Sequence, residues 1–172
     1  MHNTLKKISL AAVVGFVVSA FAAPAHAGNM FGIGYKAGNG LGFAGGDLIV
    51  RPLPNLGIDL QGNTYGDGTF SGFGVAPAIT FHMSEDGGPY VGAGVTYMSL
   101  GGKSTSGVDV TGTGLGYFGN VGYEFRPLSS LGLMAGVGYS VVPGVTLSGN
   151  GQSETTSGIS GLNLELGARL YF

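Results

Sequence analysis

Four basic and four acidic residues of this chain stand on the polar side of stretches in which apolar and polar residues alternate. They are Lys36, Arg51, Arg126 and Arg169, and Asp47, Asp59, Glu124 and Glu165. Balanced opposite charges on one side of a set of strands have two uses. Sealed from water they must pair, because an isolated buried charge is costly. Left hydrated, they line a pore. The first use makes a structural ion-pair network, the second a gated channel. In the network, Arg126 and Arg169 are expected to take Glu124, Glu165 or Asp59 as partners.

Other chemistry is thinly represented. A hydrolase needs a nucleophile, a base and an acid brought to one place. His2 and His26 belong to a leader described below, which leaves His82 beside Ser84, Glu85 and Asp86. One histidine beside polar turn residues reads as incidental, and no catalysis is expected. Gly40-x-Gly42-x-x-Gly45 and Gly114-x-Gly116-x-x-Gly119 match a dinucleotide pattern in form, but neither opens a helix. There is no Cys, so no disulfide forms, and no Cys or His cluster suggests a metal. No cofactor is expected.

The elements that must carry the eight charges are strands. From Leu162 to Phe172 alternation is unbroken: Leu162, Leu164, Leu166, Ala168, Leu170 and Phe172 against Asn163, Glu165, Gly167, Arg169 and Tyr171. A period of two gives one apolar and one polar face. With an aromatic residue at the interface, this is the pattern of a transmembrane barrel strand, lipid outside and a polar lumen inside.

At the other end, Lys6 and Lys7 precede an apolar run from Ile8 to Phe21, then Ala25-His26-Ala27. This reads as a secretory signal peptide of residues 1–27, cleaved after Ala25-x-Ala27. Residues 28–172 are then the mature domain. They contain 35 of the 36 Gly, which argues against helices. Without apolar helices, a closed barrel is the way for such a chain to live in a bilayer. Five basic against nine acidic mature residues give no sign of nucleic-acid binding.

Turn signals divide the mature chain into eight segments: about 30–38, 42–51, 56–65, 70–83, 90–100, 110–125, 131–147 and the last strand from 162. Pro52 to Asn55, Ser84 to Pro89 and Pro127 to Ser130 form turns, and Ser148 to Ser157 is expected to be a loop. An even number of strands puts both ends on the periplasmic side. Arg51-Pro52-Leu53 and Arg126-Pro127-Leu128 repeat one turn 75 residues apart. Gly72, Gly74, Gly92, Gly94, Gly136 and Gly138 fall on the inward side. They leave either a cavity or room for large neighbouring side chains. Pro77 and Pro143 interrupt strands, each removing a ladder bond. Either could mark a lateral opening.

Gly74-Val75-Ala76-Pro77-Ala78, followed by Tyr90-Val91-Gly92-Ala93-Gly94-Val95-Thr96-Tyr97, resembles a strand pair of the small eight-stranded OmpA/OmpX-type outer-membrane barrels, including the OmpX/Ail and opacity-like groups. The ending is similar to theirs, with Glu165, Gly167, Leu170 and Phe172 at the places of a C-terminal insertion signal. The resemblance implies an all-β, up-and-down transmembrane barrel in a bacterial outer membrane. It implies outer-membrane lipids and lipopolysaccharide, the barrel-assembly machinery and periplasmic chaperones as partners, and a monomer. A structural or surface role is expected. The alternatives are a passive carrier or narrow channel, and then a lipid-modifying enzyme.

Overall fold

The computed structural model describes residues 30–38, 44–66, 70–103 and 109–172, the side chains of Tyr65, Gly66 and Phe70 excepted. The signal residues Ala25 and Ala27 lie outside the described residues, as do Gly40 and Gly42. Ten strands occur among the described residues: β1 Phe31–Ala37, β2 Gly45–Leu53, β3 Leu56–Gly66, β4 Phe70–His82, β5 Gly88–Lys103, β6 Asp109–Leu128, β7 Leu131–Val142, β8 Val145–Gly149, β9 Gln152–Thr155 and β10 Ile159–Tyr171. All pairings are antiparallel. Neighbours in the sheet run β5-β4-β3-β2-β1-β10-β7-β6, and β5 pairs with β6 to close the ring.

The ten strands make eight staves. β6 pairs with β7 from Tyr117 to Leu128 and with β8 from Val110 to Gly114, so β7 and β8 are one stave interrupted at Pro143-Gly144. β9 and β10 are likewise one stave, because Thr155 pairs with Thr146 in the register that sets Ile159 against Val142. The expected loop from Ser148 to Ser157 is therefore corrected: it contains β9, folded back on β8. Segment two is corrected as well. β2 begins at Gly45 and continues through Pro52 to Leu53, where the register with β3 shifts between Val50 and Leu53. Pro is tolerated at such an irregularity.

Burial follows the alternation, with the usual polarity reversed. Leu162 and Leu164 are 79% and 76% exposed. Lys36, Asp47, Arg51, Asp59, Glu124, Glu165 and Arg169 are almost fully buried. An outer wall of this kind far exceeds the few hundred Å² of apolar patch that a soluble monomer exposes, and a bilayer is the medium that suits it. Exposed aromatic residues form two belts: Phe81, Tyr123, Phe125 and Phe172 near the short turns, and Tyr35, Phe73, Tyr97, Tyr117 and Tyr139 toward the other end. Tyr117 and Phe125 on β6 are separated by roughly 20 Å along the barrel axis, given about 3.4 Å per residue and a strand tilt of about 40°.

Candidate functional site: the luminal charge network

The site is built by parity. Alternate residues of β1, β2, β3, β6 and β10 point inward, which delivers the eight sequence-selected charges to the barrel interior in two groups.

The first group lies near the short turns. Glu124 accepts from Arg126 Nε at 2.7 Å and from Arg51 Nη2 at 3.1 Å. Arg51 Nη1 also donates to the Glu85 carbonyl at 3.0 Å, tying the network to the β4–β5 turn. Its Nη2 donates to His82 Nδ1 at 3.1 Å. Arg126 stacks over the Tyr171 ring, with its guanidinium carbon 3.8 Å from the centroid, and Arg51 approaches the same ring at 5.3 Å. One aromatic ring thus receives two cations, an arrangement that cation–π attraction favours.

The second group lies deeper. Arg169 donates through Nε and Nη2 to both oxygens of Asp47, and through Nη2 to Asp59. Asp59 also accepts from Thr80 Oγ1. Lys36 Nζ lies 3.6 Å from Asp47 and 3.5 Å from Glu165. Glu165 in turn accepts from Tyr90 Oη at 2.6 Å and from Asn120 Nδ2. Planar bidentate pairing suits Arg169, whereas Lys36 serves as a point charge between two carboxylates.

Of the partners expected from the sequence, Arg126 takes Glu124. Arg169 takes Asp59 but adds Asp47, and Glu165 is held by Lys36. His82 needs correction. Sequence reasoning put it on the polar side of segment 70–83, near the turn, as incidental, yet it is 1% exposed and sits against Arg51 and Glu124. Its even-numbered place beside Thr80 on β4 was the available signal. Tyr90, Asn120 and Tyr171 were not singled out either, although each occupies an inward position. Ser84, Glu85 and Asp86 are exposed at the turn.

The inward glycines provide room for large side chains. A Cβ placed at Gly94 would lie 2.7 Å from Phe118 Cζ, and one at Gly136 would lie 3.0 Å from Tyr90 Oη. Phe118 packs with Ala76 and Ala78 in an apolar layer. Among the described residues, no group of three His, Cys, Asp or Glu side chains is arranged to hold a metal.

Comparison with known proteins returns fold relatives. The structure is similar to the N-terminal β-barrel domain of Pseudomonas aeruginosa OprF, with a TM-score of 0.60 and 15% identity over 86% of this chain and 100% of that one. It is also similar to Neisserial surface protein A, with a TM-score of 0.51 and 15% identity over 83% of this chain and 94% of that one. No family model matches, and no curated protein matches by sequence. The chain has the fold of the small eight-stranded outer-membrane barrels.

Proposed function

We propose that this protein is an integral outer-membrane barrel with a structural or surface role, whose lumen is closed by paired charges and which performs no catalysis. The observation that carries this reading is the bridging of the lumen by Arg169, Lys36 and Glu165. Arg169 holds carboxylates on β2 and β3, while Lys36 joins β2 to β10. The apolar outer wall supports placement in a bilayer, and the fold shared with OprF and the Neisserial surface protein supports the outer membrane. Breaking one buried partnership leaves an uncompensated charge, at a cost of about 3–5 kcal/mol. Arg169→Ala is therefore expected to lower stability to urea markedly, with Lys103→Ala, on an exposed strand end, nearly neutral. Planar-bilayer recording of the wild-type barrel should show no steady conductance. Unchanged stability of Arg169→Ala together with altered ion flow would overturn the plug.

A second reading, a narrow hydrated channel, draws on one feature. Both side-chain amide atoms of Asn63, and Oγ1 of Thr96, are buried without a protein hydrogen-bond partner among the described residues. Buried polar groups of this kind are commonly satisfied by water. A water-filled upper lumen would give the wild type a small, steady conductance in the same recording.

A further inference from the structure

We propose that the outer wall at the Pro143 interruption is a seat for one glycolipid of the surrounding leaflet. An acyl chain would enter a notch there, and sugar hydroxyls would rest on a row of threonines above it. The notch has a volume of about 390 Å³ and is lined by Tyr97, Leu115, Pro143, Gly144 and the threonines 113, 146 and 155. This lies within the range of about 300–1,000 Å³ typical of small-ligand pockets.

The strand break makes the notch. On β6, Tyr117 pairs with Val141 but Gly114 pairs with Val145, so one extra residue of the β7–β8 stave is accommodated between them. Opposite Leu115 the chain has an exposed Pro143 followed by Gly144, which carries no side chain. Leu115 is 66% exposed beside it.

The chemistry around the notch is layered along the barrel axis. Below it, Val95, Tyr117 and Val141 are aligned across β5, β6 and β7. Its own level holds Tyr97 and Leu115. Above it, Thr113, Thr146 and Thr155 are aligned across β6, β8 and β9, with the Thr146 and Thr155 hydroxyls 3.3 Å apart. Successive residues on one face are about 6.8 Å apart along a strand, so the wall passes from hydrocarbon to hydroxyl within two such steps. The change falls at the belt of Tyr97, Tyr117 and Tyr139, where the membrane interface is expected. Among the described residues, none that lines the notch is charged. A headgroup that presents hydroxyls next to its acyl chains therefore suits the site better than one that presents a phosphate there.

The seat rests on the bilayer reading of the outer wall and not on the luminal plug. Its test is native mass spectrometry of the refolded barrel released from detergent micelles. The probes are a monoglucosyl diacylglycerol and a phosphatidylcholine with the same acyl chains. The wild type should retain one glycolipid, at least about tenfold more than phosphatidylcholine. Gly144→Leu, which fills the notch, should abolish that adduct. If this variant does not fold, as judged by heat-dependent gel mobility, Leu115→Trp fills the notch from the opposite strand. Thr113→Val with Thr146→Val should retain both lipids equally. Failure of the wild type to fold in micelles would count against the bilayer reading itself. A folded wild type with no adduct, with equal retention of the two lipids, or with an adduct indifferent to filling the notch would overturn the seat.

Discussion

Arg169 reaches Asp47 across Gly34. Gly34 on β1 pairs with Arg169 of β10 on one side and with Asp47 of β2 on the other, so the three residues form one row across the seam where the barrel closes. A Cβ at Gly34 would collide with the Ala168 carbonyl oxygen and lie 2.9 Å from both Cα and Cγ of Arg169. The guanidinium crosses β1 because nothing projects from it there.

Gly34→Val should therefore strike both the β1–β10 ladder and the ion pair, although Gly34 carries no charge. Its branched side chain displaces Arg169 and leaves Asp47 without its bidentate partner. The expected loss is at least about 3–5 kcal/mol, no smaller than that of Arg169→Ala. Urea unfolding in micelles measures it. A loss below about 1 kcal/mol, within the range of ordinary substitutions, would show that the arginine has another route.

Glu124 is shared by two cations, so its neutralisation is felt twice. Glu124→Gln should destabilise the barrel by about 3–5 kcal/mol. Adding Arg126→Met, which removes one of the stranded charges, should restore part of that loss, with a coupling of about 0.5–3 kcal/mol in a double-mutant cycle. Strict additivity of the two substitutions would remove Glu124 from the centre of the network.

The turns at Pro54-Asn55, Ser84–Gly87 and Ser129-Ser130 lie on the same side as Met30 and Phe172, and short turns mark the periplasmic face. A peptide tag inserted between Asn150 and Gly151, at the tip of the β8–β9 hairpin, should be readable on intact cells. A tag beside Glu85 should become readable only after permeabilisation. The opposite result would invert the barrel.

Phe172 N–H donates to the Phe31 carbonyl at 2.8 Å, and the two rings lie 6.2 Å apart. Deleting Phe172 is expected to lower the yield of folded barrel in the membrane fraction, with the remainder lost in the periplasm. Fractionation and heat-dependent gel mobility report both. Normal yield would argue against an insertion signal at Glu165, Gly167, Leu170 and Phe172.

The staves were legible in the sequence because a bilayer and a polar lumen impose the same period of two on every strand. Parity alone sends Asp47, Glu124 and Arg169 inward. It does not say who meets whom. Asp47 and Arg169 are 122 residues apart, and their meeting depends on strand order and register around a closed ring. Tyr90 shows the same limit. Its inward position can be read from Val91, Ala93 and Val95, but its bond to Glu165 requires two staves brought together across the lumen. The Ser148 to Ser157 stretch misled for another reason. Its serines and threonines have loop composition, yet their β-branched and hydroxyl side chains suit an exposed hairpin once β6 supplies an edge.

The seam bridged over Gly34 also bears on the order of folding and the rate of its reversal. β1 is the first stave in the chain, but its contact with β10 is the most distant in sequence. Closing a loop of that length costs about 4 kcal/mol beyond a constant in chain entropy, by the logarithmic dependence on length. Local hairpins such as β3–β4 and β6–β7 carry no such cost, so the seam forms after them. Contacts made after the rate-limiting step weigh chiefly on unfolding. Closure of the seam after the rate-limiting step would make the Arg169–Asp47 bridge a latch, whose loss lengthens folding times little while shortening the lifetime of the closed ring.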